Sequence, residues 1–410
     1  MPIRLAVPNE IAPGERRIAC DPVVAKKLSE LGVEVCMQTG AAASAHFSDE
    51  QFEGVTLIES AKELYKDADV IFKVQPPTLD ELKLMKEGCV IASFMAAHIN
   101  QDLTQAMCDK KITSLAMELV PRITRAQSMD ALSSQAGIAG YKGVIMGADK
   151  ASVFFPMLTT AAGTIRPAKV LIIGAGVAGL QAIATARRLG AVVEAYDVRS
   201  ATKEQCESLG AKFVDTGVSA DGEGGYAREL TDDEKQQQQD VLDKHIAMSD
   251  VIVTTAAIPG RPSPKIISAA VVAKMKVGAV IVDLASEGGG NCELTQPGEN
   301  VDFEGRVTIL GPLNVASQVP IHASEMYAKN LFNLVSPFIK EGELELDWED
   351  DVIKNTALTH DGEIKSERYQ VEKNKASDKK ASVKKASVKK SSVKKVSDDT
   401  ASNDKGDTES

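Results

Sequence analysis

The chain has 410 residues, of which 43% are hydrophobic, 26% charged and only 4% aromatic, enough for two folded domains with aliphatic cores. Its net charge of −11 is uneven: residues 371–410 hold 11 Lys against 7 Asp and Glu, leaving −15 on the body before them. An acidic body argues against a nucleic-acid-binding core. The six cysteines are widely spaced with no C-x-x-C pair, and the five histidines are scattered, so neither a disulfide frame nor a metal site is expected. No charged and apolar leader opens the chain, and no run approaches the roughly 18 to 20 apolar residues of a membrane span. A cytoplasmic location is the expectation.

In chain order, an internal echo is the main architectural clue. Leu31-Gly32-Val33-Glu34-Val35 resembles Leu189-Gly190-Ala191-Val192-Val193, and Ala68-Asp69-Val70-Ile71 resembles Ser249-Asp250-Val251-Ile252. The run from Met85 to Ile91 resembles the run from Met275 to Ile281. Each piece reads as a helix with a polar or glycine stop followed by a short β-branched strand, the rhythm of parallel α/β units. Two doubly wound, parallel-sheet domains separated by a cleft are therefore expected; the alternative is convergence, since any parallel sheet favours such pieces. Residues 1–135 and 325–345 are assigned to a discontinuous first domain and 136–324 to a Rossmann domain. Met129, Leu132, Ala136, Ala139, Gly143 and Met146 recur at helical spacing, predicting a helix that bridges the two.

Lys169 to Ile173 reads as a strand that runs into Gly174-Ala175-Gly176-Val177-Ala178-Gly179 and a helix from Leu180 to Leu189. In this G-x-G-x-x-G turn the first glycine makes the bend, the second admits a pyrophosphate and the third lets helix meet strand. A glycine turn without a ligand is the alternative. A second strand, Val192 to Tyr196, ends at Asp197, at about the 20-residue offset where an acidic side chain accepts hydrogen bonds from an adenosine ribose. The carboxylate favours NAD over NADP, whereas Arg199 nearby speaks for a 2′-phosphate. Residues 215–234 are rich in glycine and acids around a lone Tyr226, which suits a lid over bound nucleotide or an ordinary surface loop. Ser324, Tyr327, Leu331, Leu334 and Phe338 predict a helix that returns the chain to the first domain. From residue 346 an acidic stretch leads to a Lys/Ser-rich five-residue repeat, and 346–410 is expected to be disordered. The repeat is either a solvated spacer or an electrostatic tether to anionic lipid or an acidic partner.

The stretch from Thr160 to Ile165 through GAGVAGLQAIATARRLGA to Tyr196-Asp197-Val198-Arg199 resembles the alpha chain of the proton-translocating NAD(P) transhydrogenases, which are related to alanine dehydrogenases. Further similar stretches are Val7-Pro8-Asn9-Glu10, Gly14-Glu15-Arg16-Arg17, Arg125 to Asp130, Ile258-Pro259-Gly260 and Gly289-Gly290-Asn291-Cys292-Glu293, together spanning about residues 1–345. The resemblance implies that Arg122, Asp130 and Ser133 hold a nicotinamide carboxamide and that Gln127 reaches toward a partner's nucleotide. Asp130 and Ser133, three apart at a helix start, can both face one ligand; capping by Ser128 beside a solvent-facing Arg122 is the alternative. It further implies that Gly225, Tyr226 and Gln238 belong to the lid, that Val177, Val198 and Ala257 line the NAD(H) site, and that the chain is a homodimer. NADP and the proton path would belong to membrane-spanning and NADP-binding partner subunits, through which the chain would lie against the inner membrane.

An amino-acid dehydrogenase needs a general base near its substrate. Lys73 stands where alanine dehydrogenases carry a lysine, but the region of their histidine reads Ser93-Phe94-Met95-Ala96-Ala97, with His98 out of register. Hydride exchange between two nicotinamide rings needs only positioning, which supplies on the order of 7 to 11 kcal/mol. The sequence is therefore expected to serve direct hydride transfer.

Overall fold

In the computed structural model of the chain, residues 2–218, 231–257, 261–367 and 369 are described. The first sheet is built from β1 (Arg4–Val7), β2 (Glu34–Gln38), β3 (Thr56–Ile58), β4 (Val70–Phe72), β5 (Val90–Ser93) and β6 (Thr113–Ala116). Its helices are α1 (Pro22–Glu30), α2 (Ala61–Lys66), α3 (Leu79–Leu84) and α4 (Gln101–Asp109). Helix α5 (Ala131–Lys150) then leads to a small hairpin, β7 (Leu158–Thr160) and β8 (Gly163–Ile165).

The second sheet follows with β9 (Lys169–Ile173), β10 (Val192–Tyr196), β11 (Lys212–Phe213), β12 (Val251–Thr254), β13 (Ala279–Asp283), β14 (Asn300–Phe303) and β15 (Val307–Leu310). Between them lie α6 (Val177–Arg188), α7 (Lys203–Ser208), α8 (Asp232–Met248) and α9 (Ala269–Val272). Helix α10 (Pro320–Val335), the short pair β16 (Ile339–Lys340) and β17 (Glu343–Leu344), α11 (Asp351–Thr356), β18 (Ala357–His360) and β19 (Glu363–Ile364) complete the described chain.

Both sheets are doubly wound around a parallel core, as the echo predicts; β18 and β19 in the first and β14 in the second are antiparallel additions at one end. The strand orders are β19-β18-β6-β5-β4-β1-β2-β3 and β11-β10-β9-β12-β13-β15-β14. The central strands are short β-branched runs buried on both faces because helices cover each side, and β12 and β13 are buried at every position. Helix α10 starts at Pro320, whose fixed φ suits the first helical turn, and inserts Tyr327, Leu331, Leu334 and Val335 into the core of the first sheet.

Two expectations are corrected. The body does not end at residue 345. Val352 and Ile353 of α11 enter the first core, and β18 adds antiparallel to β6, pairing Ala357 with Leu115 and Thr359 with Ser114. The stretch 346–367, expected to be disordered, is thus an edge extension of the first sheet. The Lys/Ser-rich repeat lies outside the described residues. The bridging helix α5 also buries a face that matches the expected stripe only in part, at Gly143. Leu132 is exposed, while Gln135, Ile138, Gly140, Gly143, Val144 and Gly147 are buried. A Cβ at Gly140 would land on the Ala178 carbonyl oxygen, and one at Gly147 would stand 2.7 Å from Val251 Cγ1. Glycine, not a large apolar side chain, lets α5 lie against α6 and the second sheet.

Candidate functional site

In the second sheet β9 is central: chain leaving it passes through α6 to β10 on one side, and β12 pairs on the other. Ligands of open parallel sheets bind at the carboxyl end of such a switch point. There Tyr196 of β10 and Thr254 of β12 both stand opposite Ile173, so three strand tips meet at the glycine turn.

The three glycines do different work. Gly174 takes φ +95°, and a Cβ there would lie 2.6 Å from Thr255 Oγ1, the same hydroxyl that donates to the Gly174 carbonyl at 3.0 Å. A Cβ at Gly179 would strike the Gly174 carbonyl oxygen. At Gly176 the backbone is extended and a Cβ would meet nothing within 4 Å. Neither strain nor protein packing requires glycine at Gly176, and the open space lies at the N-terminus of α6, where amides and helix dipole favour an anion.

Asp197 closes this corner. Its carboxylate accepts from the Ala175 amide at 2.7 Å and from the Arg199 amide, Nε and Nη2 at 2.9, 2.9 and 2.8 Å. Burial raises its proton affinity, but the Arg199 fork and the two amides outweigh burial and hold the carboxyl below its ordinary range. Four donors fill the roughly four lone-pair positions of a carboxylate. Any further donor to this carboxylate would have to displace part of Arg199, whose side chain is half exposed. Val198 beside them is exposed, as is Val177 at the start of α6.

Ala257 lies exposed in the loop after β12. That loop is pinned by the buried Asn291, which accepts from the Ala256 amide at 3.1 Å and donates to the Ala256 and Pro264 carbonyls at 2.8 and 2.9 Å. Sequence reasoning misses this pinning, because no local pattern links residue 291 to residue 256. Gln238 is half-buried on α8. Gly225 and Tyr226 lie outside the described residues, as do Ile258, Pro259 and Gly260.

The other candidate residues stand at the start of α5. Asp130 caps the helix, accepting from the Ser133 amide at 2.9 Å and its hydroxyl at 2.6 Å, so the cap is Asp130 rather than Ser128. Arg122 and Gln127 are exposed on the preceding turn. Gly137 of α5 lies beside Val177 and Gly140 against Ala178. At a rise of about 1.5 Å per residue, the helix start is therefore about 9 Å along α5 from its contact with the first turn of α6. The segment 122–133 thus runs into the helix that packs on the start of α6.

A buried polar network joins the two lobes beneath. Arg17 donates to Glu15 at 2.6 Å, to Gln135 of α5 at 2.9 Å and to Asn314 at 3.1 Å, while Gln75 and Asn314 donate to Glu15 at 2.7 and 3.0 Å. Burial would raise the Glu15 carboxyl, but Arg17 and Gln75 bring it down to about 2. Lys73 does not open to the cleft: it is fully buried, 2.9 Å from Glu81 and 3.4 Å from Glu10. The Met95 and Ala96 amides donate to Glu118, and Ala96 holds φ +45°. Where an imidazole is sought at Ser93 to Ala97, the loop offers backbone.

A two-lobed α/β protein with a dinucleotide-type turn at its cleft is the class that fold and site define. Residues 6–139 match the model of the alanine dehydrogenase/PNT N-terminal domain, and residues 143–367 that of the C-terminal domain. The chain belongs to the alanine dehydrogenase/PNT family. It is 46% identical over 375 residues to the first part of NAD(P) transhydrogenase subunit alpha of Rhodospirillum rubrum, covering 88% of this chain and 97% of that one. It is 42% identical over 364 residues to NAD(P) transhydrogenase subunit alpha of Haemophilus influenzae, covering 88% of this chain and 71% of that one. The crystal structure of transhydrogenase from Sinorhizobium meliloti superposes with a TM-score of 0.80 at 43% identity, covering 88% of this chain and 99% of that chain.

Proposed function

We propose that this chain is the NAD(H)-binding subunit of a proton-translocating NAD(P) transhydrogenase and that it passes a hydride to NADP held by a partner subunit. The observation that carries the reading is the open space over Gly176, bordered by the buried Asp197 carboxylate, in a chain similar to a transhydrogenase alpha subunit along nearly its whole length. When bound, a dihydronicotinamide ring supplies the hydride. The chain's own part is to hold and orient: the α6 N-terminus takes the pyrophosphate, and Asp197, after yielding an Arg199 bond, takes the ribose. Val177, Val198, Arg199 and Ala257, with Gly225, Tyr226 and Gln238 of a lid, enclose the dinucleotide. Arg122, Asp130 and Ser133 orient the carboxamide, and Gln127 faces the partner.

No helix among the described residues is long and apolar enough to cross a membrane. Proton translocation then falls to membrane-spanning partners, with this chain bound peripherally at the inner face. The β7–β8 hairpin supports a homodimer, since a lone two-stranded hairpin is marginal in water and this one exposes Leu158 and Ile165, with Met157 beside them.

Mixing the chain with NADP-binding partner subunits and following reduction of an NAD analogue by NADPH tests the reading. Turnover is expected only in the mixture; NAD-dependent oxidation of alanine by the chain alone would replace it with an amino-acid dehydrogenase. Gln127→Asn should slow transfer about tenfold, the scale of a lost positioning contact, while leaving NADH affinity nearly intact.

A further inference from the structure

One carboxylate in the corrected C-terminal extension reaches back to the segment that carries Arg122 and Gln127. Asp350 caps α11, with Oδ1 accepting from the Val352 and Ile353 amides at 2.8 and 3.4 Å. The same carboxylate takes the Arg125 guanidinium in a two-pronged pair, Nη1 to Oδ2 at 2.6 Å and Nη2 to Oδ1 at 3.0 Å. Such fork-to-fork pairs fix orientation as well as distance.

The anchor is firm. Val352 and Ile353 are buried, β18 follows directly in the sheet, and Trp348 packs on the first core and stacks on His360 with ring centroids 3.7 Å apart. The second half of the 122–130 segment has other supports: Ala126 and Met129 are buried, and Asn330 and Asn333 of α10 donate to the Ser128 carbonyl at 2.9 and 3.1 Å. Its first half is tied to another element through Arg125. Exposed ion pairs contribute little because two long side chains must be ordered together. Here the Asp350 side chain is only 16% exposed and already fixed by the cap, so only Arg125 is ordered to form the pair.

We propose that Asp350 is a positioning residue: through Arg125 it holds residues 122–127 so that Arg122 and Gln127 stand at the cleft. The link to hydride transfer rests on the function proposed above; the clamp itself does not. Asp350→Ser retains a good cap but is too short to reach Arg125, and Arg125→Gln removes the pair from the other side. Either variant should raise amide hydrogen exchange in 122–127 several-fold and lower kcat of transfer in the assembled complex about three- to fivefold, the range of an exposed but well-oriented pair. KM for NADH should stay within about twofold, and the double variant should be no worse than either single one, since both remove one interaction. Asp350→Asn, which keeps the cap and one neutral hydrogen bond, should recover some of the rate. The proposal is overturned if exchange in 122–127 is unchanged, if the double variant shows the product of the single effects, or if KM rises in step with the fall in kcat. If the wild-type chain shows no transfer with its partners, the proposed function fails, and the exchange measurement still decides the clamp.

Discussion

The two sheets share more than a strand order. In each, an aspartate before the fourth strand pins the start of the first: Asp69 accepts from the Arg4 amide at 3.0 Å and Asp250 from the Lys169 amide at 2.8 Å. Each also takes a lysine from the turn before the next strand, Lys86 and Lys276, both at 2.6 Å. Pairing Leu5 with Val70 and Val170 with Val251 sets Asn9-Glu10 where the second sheet has Gly174-Ala175. A side chain near the end of the neighbouring strand accepts the loop amide in both, Gln38 from Asn9 and Asp197 from Ala175.

The loops then diverge. In the second lobe glycine leaves space above Gly176. In the first, the Glu10 carboxylate fills the corresponding corner, accepting from the Val74 and Gln75 amides at 2.6 and 3.3 Å and lying 3.4 Å from Lys73. One lobe leaves this corner open; the other fills it with a carboxyl side chain. A shared sheet therefore does not imply a shared site, because two or three loop residues decide whether the strand tips are open or plugged.

The largest effect should come from unplugging the first lobe. Glu10→Ala leaves two amides without an acceptor and Lys73 with Glu81 alone, and should cost about 3 to 4 kcal/mol in denaturant unfolding. NADH affinity measured on the folded fraction should hardly change. Glu10→Gln, still an acceptor, should recover much of the stability. If Glu10→Ala instead altered NADH binding as strongly as stability, the two corners would not be independent.

Acid tests the network that joins the lobes. Glu15 is held at about 2 against an ordinary value of 4.5, so its contribution is complete above pH 4.5 and drains away as pH falls toward 2. That displacement corresponds to roughly 3 kcal/mol. Thermal unfolding of the wild type should weaken through that window, and Glu15→Gln should flatten the loss; parallel curves would remove Glu15 from it.

On the open side, Asp197→Ala should weaken NADH binding by about 2 kcal/mol, the scale of a charged hydrogen bond. Calorimetry reads this directly, and unchanged affinity would take Asp197 out of the site. Gly176→Ala is the finest probe. Because its Cβ meets only open space, stability should stay within about 0.5 kcal/mol while NADH affinity falls about tenfold, as expected for a methyl group thrust against a bound pyrophosphate. Equal affinity would mean that the space is not where the dinucleotide lies.

Many of the elements in this comparison are legible in the sequence. The strands around residues 70, 90, 251 and 280, the turn from Gly174 to Gly179 and the carboxylate at Asp197 are local patterns: short β-branched runs, a glycine spacing, an acid at a strand tip. Local patterns survive in sequence because each is set by residues a few positions apart. The buried face of α5 is legible only in part, because close helix contact selects Gly140 and Gly147 as well as Gly143, whereas periodicity also looks for large apolar residues such as Leu132, which is exposed.

What the amino-acid order settled by itself is the doubly wound rhythm and the position of the nucleotide turn, since hydrophobic period and glycine conformation act within one strand and one helix. Only the tertiary structure decided that Ala357 to His360 lies beside β6, that Asp350 reaches Arg125, that Glu10 plugs the first lobe and that Asn291 pins the Ala256 loop. The partners in these contacts lie from 35 to 247 residues apart. Such pairings leave no period to read, and a charged stretch such as Glu341 to Asp351 looks solvated until the strand that follows it, β18, has paired with β6.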